Sequence, residues 1–169
     1  MTMPTFPAGH EPGADEFAAL LPIYVRKTVD ESLASNTTLQ NDDELFCAVA
    51  ANITYEVDLF LIYDGATAGD LKFAFTGPTS ATLDWVQGGL ISSADATSGS
   101  MFVGASNIGT TNTVVTGAGA GVKLVTMPRG LLITSSTAGT FQLQWAQGTS
   151  SATATHVFAG SWMRLRRVA

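Results

Sequence analysis

Two histidines, one cysteine and fourteen carboxylates are the side chains from which acid–base, thiol or metal chemistry would have to be assembled in this chain. His10 lies among prolines and glycines near the start, and His156 sits in ATATHVF. With these placements neither an HExxH zinc helix nor a Cys/His cluster can be written. A Ser–His–Asp triad could draw on His156 and many serines, but no G-x-S-x-G elbow is present, and His156 reads as an ordinary strand residue. TGAGAGVKL carries Gly117, Gly119 and Gly121 at the wrong spacing for a dinucleotide loop, with strand-like residues after them, so it reads as a flexible turn. NDDEL gathers Asp42, Asp43 and Glu44 without the ligand spacing or glycine of a calcium loop, so it reads as a solvated turn. No acid/base carboxylate pair of the glycosidase kind can be picked out. The expectation is a non-enzymatic protein with no catalytic residue, no metal and no cofactor.

The remaining chemical feature is a knot of arginines. Arg164, Arg166 and Arg167 hold three of the eight basic residues within four positions. On a strand Arg164 and Arg166 share a face with Trp162, while Met163, Leu165 and Arg167 take the other. Arginine stems cover apolar surface while their heads bond carboxylates, so these residues are expected to pair across strands or across a subunit boundary. An anionic ligand is the lesser alternative.

The elements that would position them follow period two. TYEVDLFLIYD puts Tyr55, Val57, Leu59, Leu61 and Tyr63 on one face, DLKFAF puts Leu71, Phe73 and Phe75 inward, and ATLDWV offers Leu83 and Trp85, with short Gly/Pro turns between. Residues 88–121 are rich in Gly, Ser, Thr and Ala, with weak strands at SMFVGA and NTVVTG. Strong strands resume in VKLVTM, RGLLITS, TFQLQWAQ, THVF and SWMRLRRV. Eight to ten strands spaced by turns predict an all-β fold, a jelly-roll-like antiparallel β-sandwich over residues 37–169. Phe141, Leu143 and Trp145 are expected to form one wall, closed by a hairpin onto Met163 and Leu165.

Residues 1–36 read differently. Pro4, Pro7, Pro12 and Pro22 break any long helix, and the segment is expected to be an extended N-terminal arm. Its apolar cluster, with Phe17, Leu20, Leu21, Ile23 and Tyr24, is too short to fold alone and is expected to dock on a partner or on the chain's own sandwich.

Composition excludes several function classes. A net charge of −6 argues against a nucleic-acid partner, which needs clustered Lys and Arg. Only 13% of residues are charged, against about 25% in an ordinary domain, yet no run approaches the roughly 18 apolar residues of a membrane span. The charge-poor exterior therefore predicts cover by copies of the same chain or by a larger assembly. Cys47 stands alone in LFCAVAA and reads as a small buried apolar residue. MTMPTFPAGHEPG lacks the basic start and apolar core of a secretory signal, which predicts assembly in the cytoplasm.

The closing run carries a resemblance. Gly139–Gln147, GTFQLQWAQ, and Ala159–Arg167, AGSWMRLRR, resemble the last strands of a family of tailed-phage virion proteins, roughly G-T-[FL]-x-L-[QR]-W-A-Q and A-G-S-x-[LM]-x-L-x-R. Val25–Pro78 resembles the amino-terminal half of such proteins. The resemblance implies a β-sandwich module similar in outline to trimeric C1q and tumour-necrosis-factor jelly rolls, attached to phage heads or tails. It implies a virion location, self-association as a homotrimer, and partnership with the major capsid protein or other virion proteins. A head decoration or cement protein is the first expectation. A tail fibre or baseplate tip module that binds a host receptor is the alternative.

Overall fold

The computed structural model describes residues 7–14, 16, 21–89, 107–109 and 113–168. Within them the chain forms twelve strands: β1 Ile23–Arg26, β2 Glu31–Leu33, β3 Gln40–Val49, β4 Thr54–Gly65, β5 Leu71–Thr76, β6 Thr82–Val86, β7 Val114–Val115, β8 Gly119–Thr126, β9 Arg129–Ile133, β10 Gly139–Gln147, β11 Thr155–Val157 and β12 Trp162–Arg167. Eight strands share one sheet and four, in the order β3-β10-β5-β7, make the other. All pairings are antiparallel. The all-β sandwich predicted from period-two patterning is what the chain forms.

Four pairs, β1·β12, β3·β10, β4·β9 and β5·β7, nest inside one another like rungs of a single long hairpin. Folding that hairpin over sends the first and third rungs to the larger sheet and the others to the smaller. This is the wrapping of a jelly roll. The twelve-residue β4 is the spine of the larger sheet. Its first half takes β12 on one edge and β9 on the other, and its second half takes β11 and β8.

The Gly/Pro loops carry the chain from β4 in the larger sheet to β5 in the smaller and back to β6 in the larger. The wrapping corrects one local expectation, since β10 and β12 do not form a hairpin. Phe141, Leu143 and Trp145 point inward from the smaller sheet and meet Met163 and Leu165 inward from the larger, all of them buried. Parity was enough to say which residues face inward but not from which wall.

The arm is shorter than residues 1–36. β1 and β2 lie inside that range and are hydrogen-bonded to β12 and β11. Ile23 and Val25 pack on the core, so the sandwich begins at Ile23. Phe17 and Leu20 lie outside the described residues, as does SMFVGA.

NDDEL is strand rather than solvated turn. β3 carries a bulge opposite Gln142–Gln144 of β10, and Asp42, fully buried there, replaces lost ladder bonds. Its Oδ1 accepts from the backbone N–H of Glu44 at 3.0 Å and of Leu45 at 2.8 Å. TGAGAGVKL likewise enters β8 at Gly119. Gly117 is required by a close approach, since a Cβ there would stand 2.5 Å from the Ala66 carbonyl oxygen.

Candidate functional site

The outward face of the larger sheet is organised in cross-strand rows that the register fixes. One row runs Tyr24, Arg164, Asp58, Arg129 and Val86 across β1, β12, β4, β9 and β6. A neighbouring row runs Arg166, Glu56, Leu131 and Asp84. Next along the strands, Arg26, Trp162 and Phe60 stand side by side.

Within the first row Asp58 lies between two guanidinium groups, 2.6 Å from Arg164 Nη2 and 3.2 Å from Arg129 Nε. Arg166 donates through Nε at 2.9 Å and Nη2 at 2.5 Å to one oxygen of Glu56. The bonds to Asp58 and its negative charge raise the pKa of Arg164 above the ordinary value. These are exposed pairs, and solvent screens them. Arg164→Ala is expected to leave the midpoint of urea unfolding nearly unchanged, because solvent screens an exposed pair. A marked fall would show that the row carries the fold as well as the surface.

Beside the ion pairs, Tyr24 stacks on Trp162 at 5.7 Å between ring centroids, and Trp162 stacks on Phe60 at 6.0 Å. Leu131, Ile133, Val125 and Met127 are exposed on or next to the same face. A shallow cavity of about 370 Å³ opens over the rows, lined by Glu56, Val57, Asp58, Arg129, Gly130 and Arg164. Its arginines already face carboxylates, so a simple anion would have to compete with Asp58 and Glu56 for them. Charge pairs set among exposed apolar side chains suit a protein surface better.

The residues singled out in the sequence are therefore distributed. Arg164 and Arg166 stand together on the outer face. Arg167 turns the other way, its guanidinium 5.9 Å from the Tyr55 ring centroid, so it pairs with an aromatic ring and joins no ion pair among the described residues. Of the arm cluster, Ile23 is spent on the chain's own core, while Leu21 and Tyr24 are exposed. Cys47 is buried, and desolvation pushes its thiol up to about 11, which keeps it protonated and unreactive.

Three polar arrangements were not singled out in the sequence. Lys27, 1% exposed, donates to Glu31 at 2.7 Å and to both oxygens of Asp42 at 3.0 and 3.1 Å. Glu44 accepts from the backbone N–H groups of Thr28 and Val29 and from the Thr28 hydroxyl. The Thr28 hydroxyl first, then these amides, hold its carboxyl below the usual range. Together they fasten the β1–β2 segment to β3. His156, on β11, is held through Nδ1 at 2.7 Å from Asp64, a buried carboxylate that also accepts from the Gly121 N–H at 2.7 Å. Parity could have paired Arg164 and Arg166 with the same-face acids Glu56 and Asp58. NDDEL marked Asp42 as one of a carboxylate cluster, but nothing in the spacing joined it to Lys27, because their meeting depends on a bulge.

No protein family and no curated protein matches the chain. Among solved structures, the tripod (BppUct-A-L) from the baseplate of bacteriophage Tuc2009 aligns with a TM-score of 0.38 and 11% identity, over 99% of this chain and 76% of that one. The structure of infectious bursal disease virus Gx strain aligns with a TM-score of 0.14 and 10% identity, over 88% of this chain and 35% of that one. Likenesses at this level assign no function. The class that the fold and face define is an antiparallel jelly-roll sandwich presenting a mixed apolar and ion-paired sheet surface.

Proposed function

We propose that this protein is a non-enzymatic structural component of a tailed-phage virion, a head decoration protein. Its sandwich self-associates as a homotrimer, and its N-terminal residues fasten it to the major capsid protein. The observation that carries the reading is the outer face of the larger sheet, where exposed apolar and aromatic side chains surround arginines already paired with carboxylates. Such a surface favours a protein partner over a small ion. The sequence resemblance of Gly139–Gln147 and Ala159–Arg167 to phage virion proteins supports the setting, and these stretches supply β10 and β12, one strand to each wall.

Attachment would use the arm that precedes Ile23. Phe17, Leu20 and Leu21, if fully covered by the shell, would each contribute about 1.5–3 kcal/mol before ordering costs, and many copies per particle add avidity. A variant lacking residues 1–21 is expected to keep its circular dichroism and melting temperature and to lose binding to heads that lack the protein. Undiminished binding of that variant would overturn the arm's role.

A second reading, a tail fibre or baseplate tip that binds a host receptor, is favoured by one observation: Tyr24, 55% exposed, stands beside Trp162 and the Arg164–Asp58 pair. Aromatic rings with polar neighbours suit sugars as well as proteins. Copy number separates the two, hundreds per particle for a head protein and a few for a tail tip.

A further inference from the structure

The charges of this acidic chain are unevenly placed. Four of its five arginines, Arg26, Arg129, Arg164 and Arg166, stand on the outer face of the larger sheet against three carboxylates, Glu56, Asp58 and Asp84. Along the margin where β2 and β3 run lie five carboxylates, Asp30, Glu31, Asp42, Asp43 and Glu44, and one cation, the buried Lys27, which is held by Glu31 and the buried Asp42. Both patches carry exposed apolar side chains, Tyr24, Leu131 and Ile133 on the face and Val29 and Phe46 at the margin.

We propose that the arginine-bearing face of one copy receives the acidic β2–β3 margin of a second copy, with Arg129 and Asp43 as the facing charges. This rests on the self-association reading above and names its surfaces. Arg129 has its side chain 76% exposed and meets Asp58 through Nε at 3.2 Å, and a guanidinium has donors enough to take a second carboxylate beside the first. Asp43 is exposed, and its backbone N–H rather than its carboxylate is engaged, with Glu31. The two patches are different surfaces of one molecule, so the contact is head-to-tail. Such contacts close into rings when the rotation between copies allows, which is the geometry a trimer requires. Opposite potentials fix the partner and the register, while the apolar side chains supply the area.

A charge exchange in the full chain tests the pairing. Mass is measured by analytical ultracentrifugation across protein concentration for the wild type, Arg129→Glu, Asp43→Lys and the double variant, with circular dichroism to verify folding. Each single substitution is expected to weaken association at least tenfold, and the double variant to restore it. Arg129→Gln, which puts no new charge beside Asp58, serves if Arg129→Glu fails to fold and should weaken association in the same direction. An oligomer that ignores both single substitutions overturns these surfaces while leaving self-association intact. Single variants that dissociate without recovery in the double variant overturn the pairing of Arg129 with Asp43. Loss of head binding without loss of oligomer would assign the face to another acidic protein and overturn the proposal. A monomeric wild type removes the self-association reading itself.

Discussion

Replacing Lys27 with methionine is expected to destabilise the sandwich by about 3–5 kcal/mol, the cost of leaving one partner of a buried ion pair without the other. Asp42 is fully buried, and without the ammonium its charge would rest on two backbone N–H groups alone. Glu31 would lose the same partner, and the β1–β2 segment would be left with the Glu44 bonds to Thr28 and Val29 as its main side-chain tie to β3. Asn at position 42 keeps an acceptor for the Glu44 and Leu45 amides but carries no charge, so Lys27→Met with Asp42→Asn should recover part of the loss. Urea unfolding at one fixed protein concentration reads both effects, since association also shifts apparent stability. A cost below about 1 kcal/mol, the range of exposed pairs, would show that water reaches the cluster.

The same pair predicts an alkaline transition. Burial alone would lower the pKa of Lys27, but the hydrogen bonds to Glu31 and Asp42 and the charges of both outweigh it, leaving the pKa above the ordinary 10.5. Because the folded value is raised, the stabilisation is complete below pH 10.5 and is lost as pH rises through the folded value. The melting temperature of the wild type should therefore fall toward that of Lys27→Met above pH 10.5, and parallel pH profiles for the two proteins would contradict the assignment.

How much of this was legible in the sequence depends on the distance over which each feature is determined. Inward parity is local, set by the pleat of a single strand, and Tyr55 to Tyr63, Leu71 to Phe75, and Phe141 to Trp145 all lie inward as the alternation requires. The sheet to which a strand belongs is not local. GATAGD could turn the chain within one sheet or carry it to the other, and Gly and Pro permit both. The arm boundary was misplaced for a related reason. β1 and β2 are short edge strands of four and three residues, and their alternation is too brief to stand out from a proline-broken segment. The acidic NDDEL stretch misled most, since a carboxylate cluster usually means solvent. Here a bulge turns Asp42 inward, and a lysine fifteen residues earlier meets it. The ion-paired rows of the outer face lie between these extremes: the faces were readable, but the register that brings Asp58 between Arg164 and Arg129 comes only from the wrapped ladder.

Truncating Phe75 to alanine is expected to cost about 3–5 kcal/mol, as large as the loss at Lys27 but by a different route. Phe75 lies where the two sheets meet. Its ring stacks on Phe141 at 5.3 Å, and its contacts with Trp85 at 5.0 Å and Phe73 at 6.4 Å are both edge-to-face. Phe73 and Phe141 belong to the smaller sheet and Trp85 to the larger, so the ring bridges the walls. Each neighbour is fixed by its own strand ladder and cannot move in to fill the space, so the cavity term adds in full to the lost burial. Phe75→Leu keeps much of the volume and should cost less than about 1.5 kcal/mol. The expected signature in urea is a lower midpoint with an unchanged slope, because the folded surface stays the same. A reduced slope would instead mean that the two sheets separate in part before global unfolding, and that the core beneath β5 is not a single cooperative unit. Against a total stability of about 5–15 kcal/mol for a domain, either Phe75→Ala or Lys27→Met removes a large share. Arg164→Ala, on the outer face of the same sandwich, should remove little. That contrast separates the residues that hold the fold from those the fold presents to its partners.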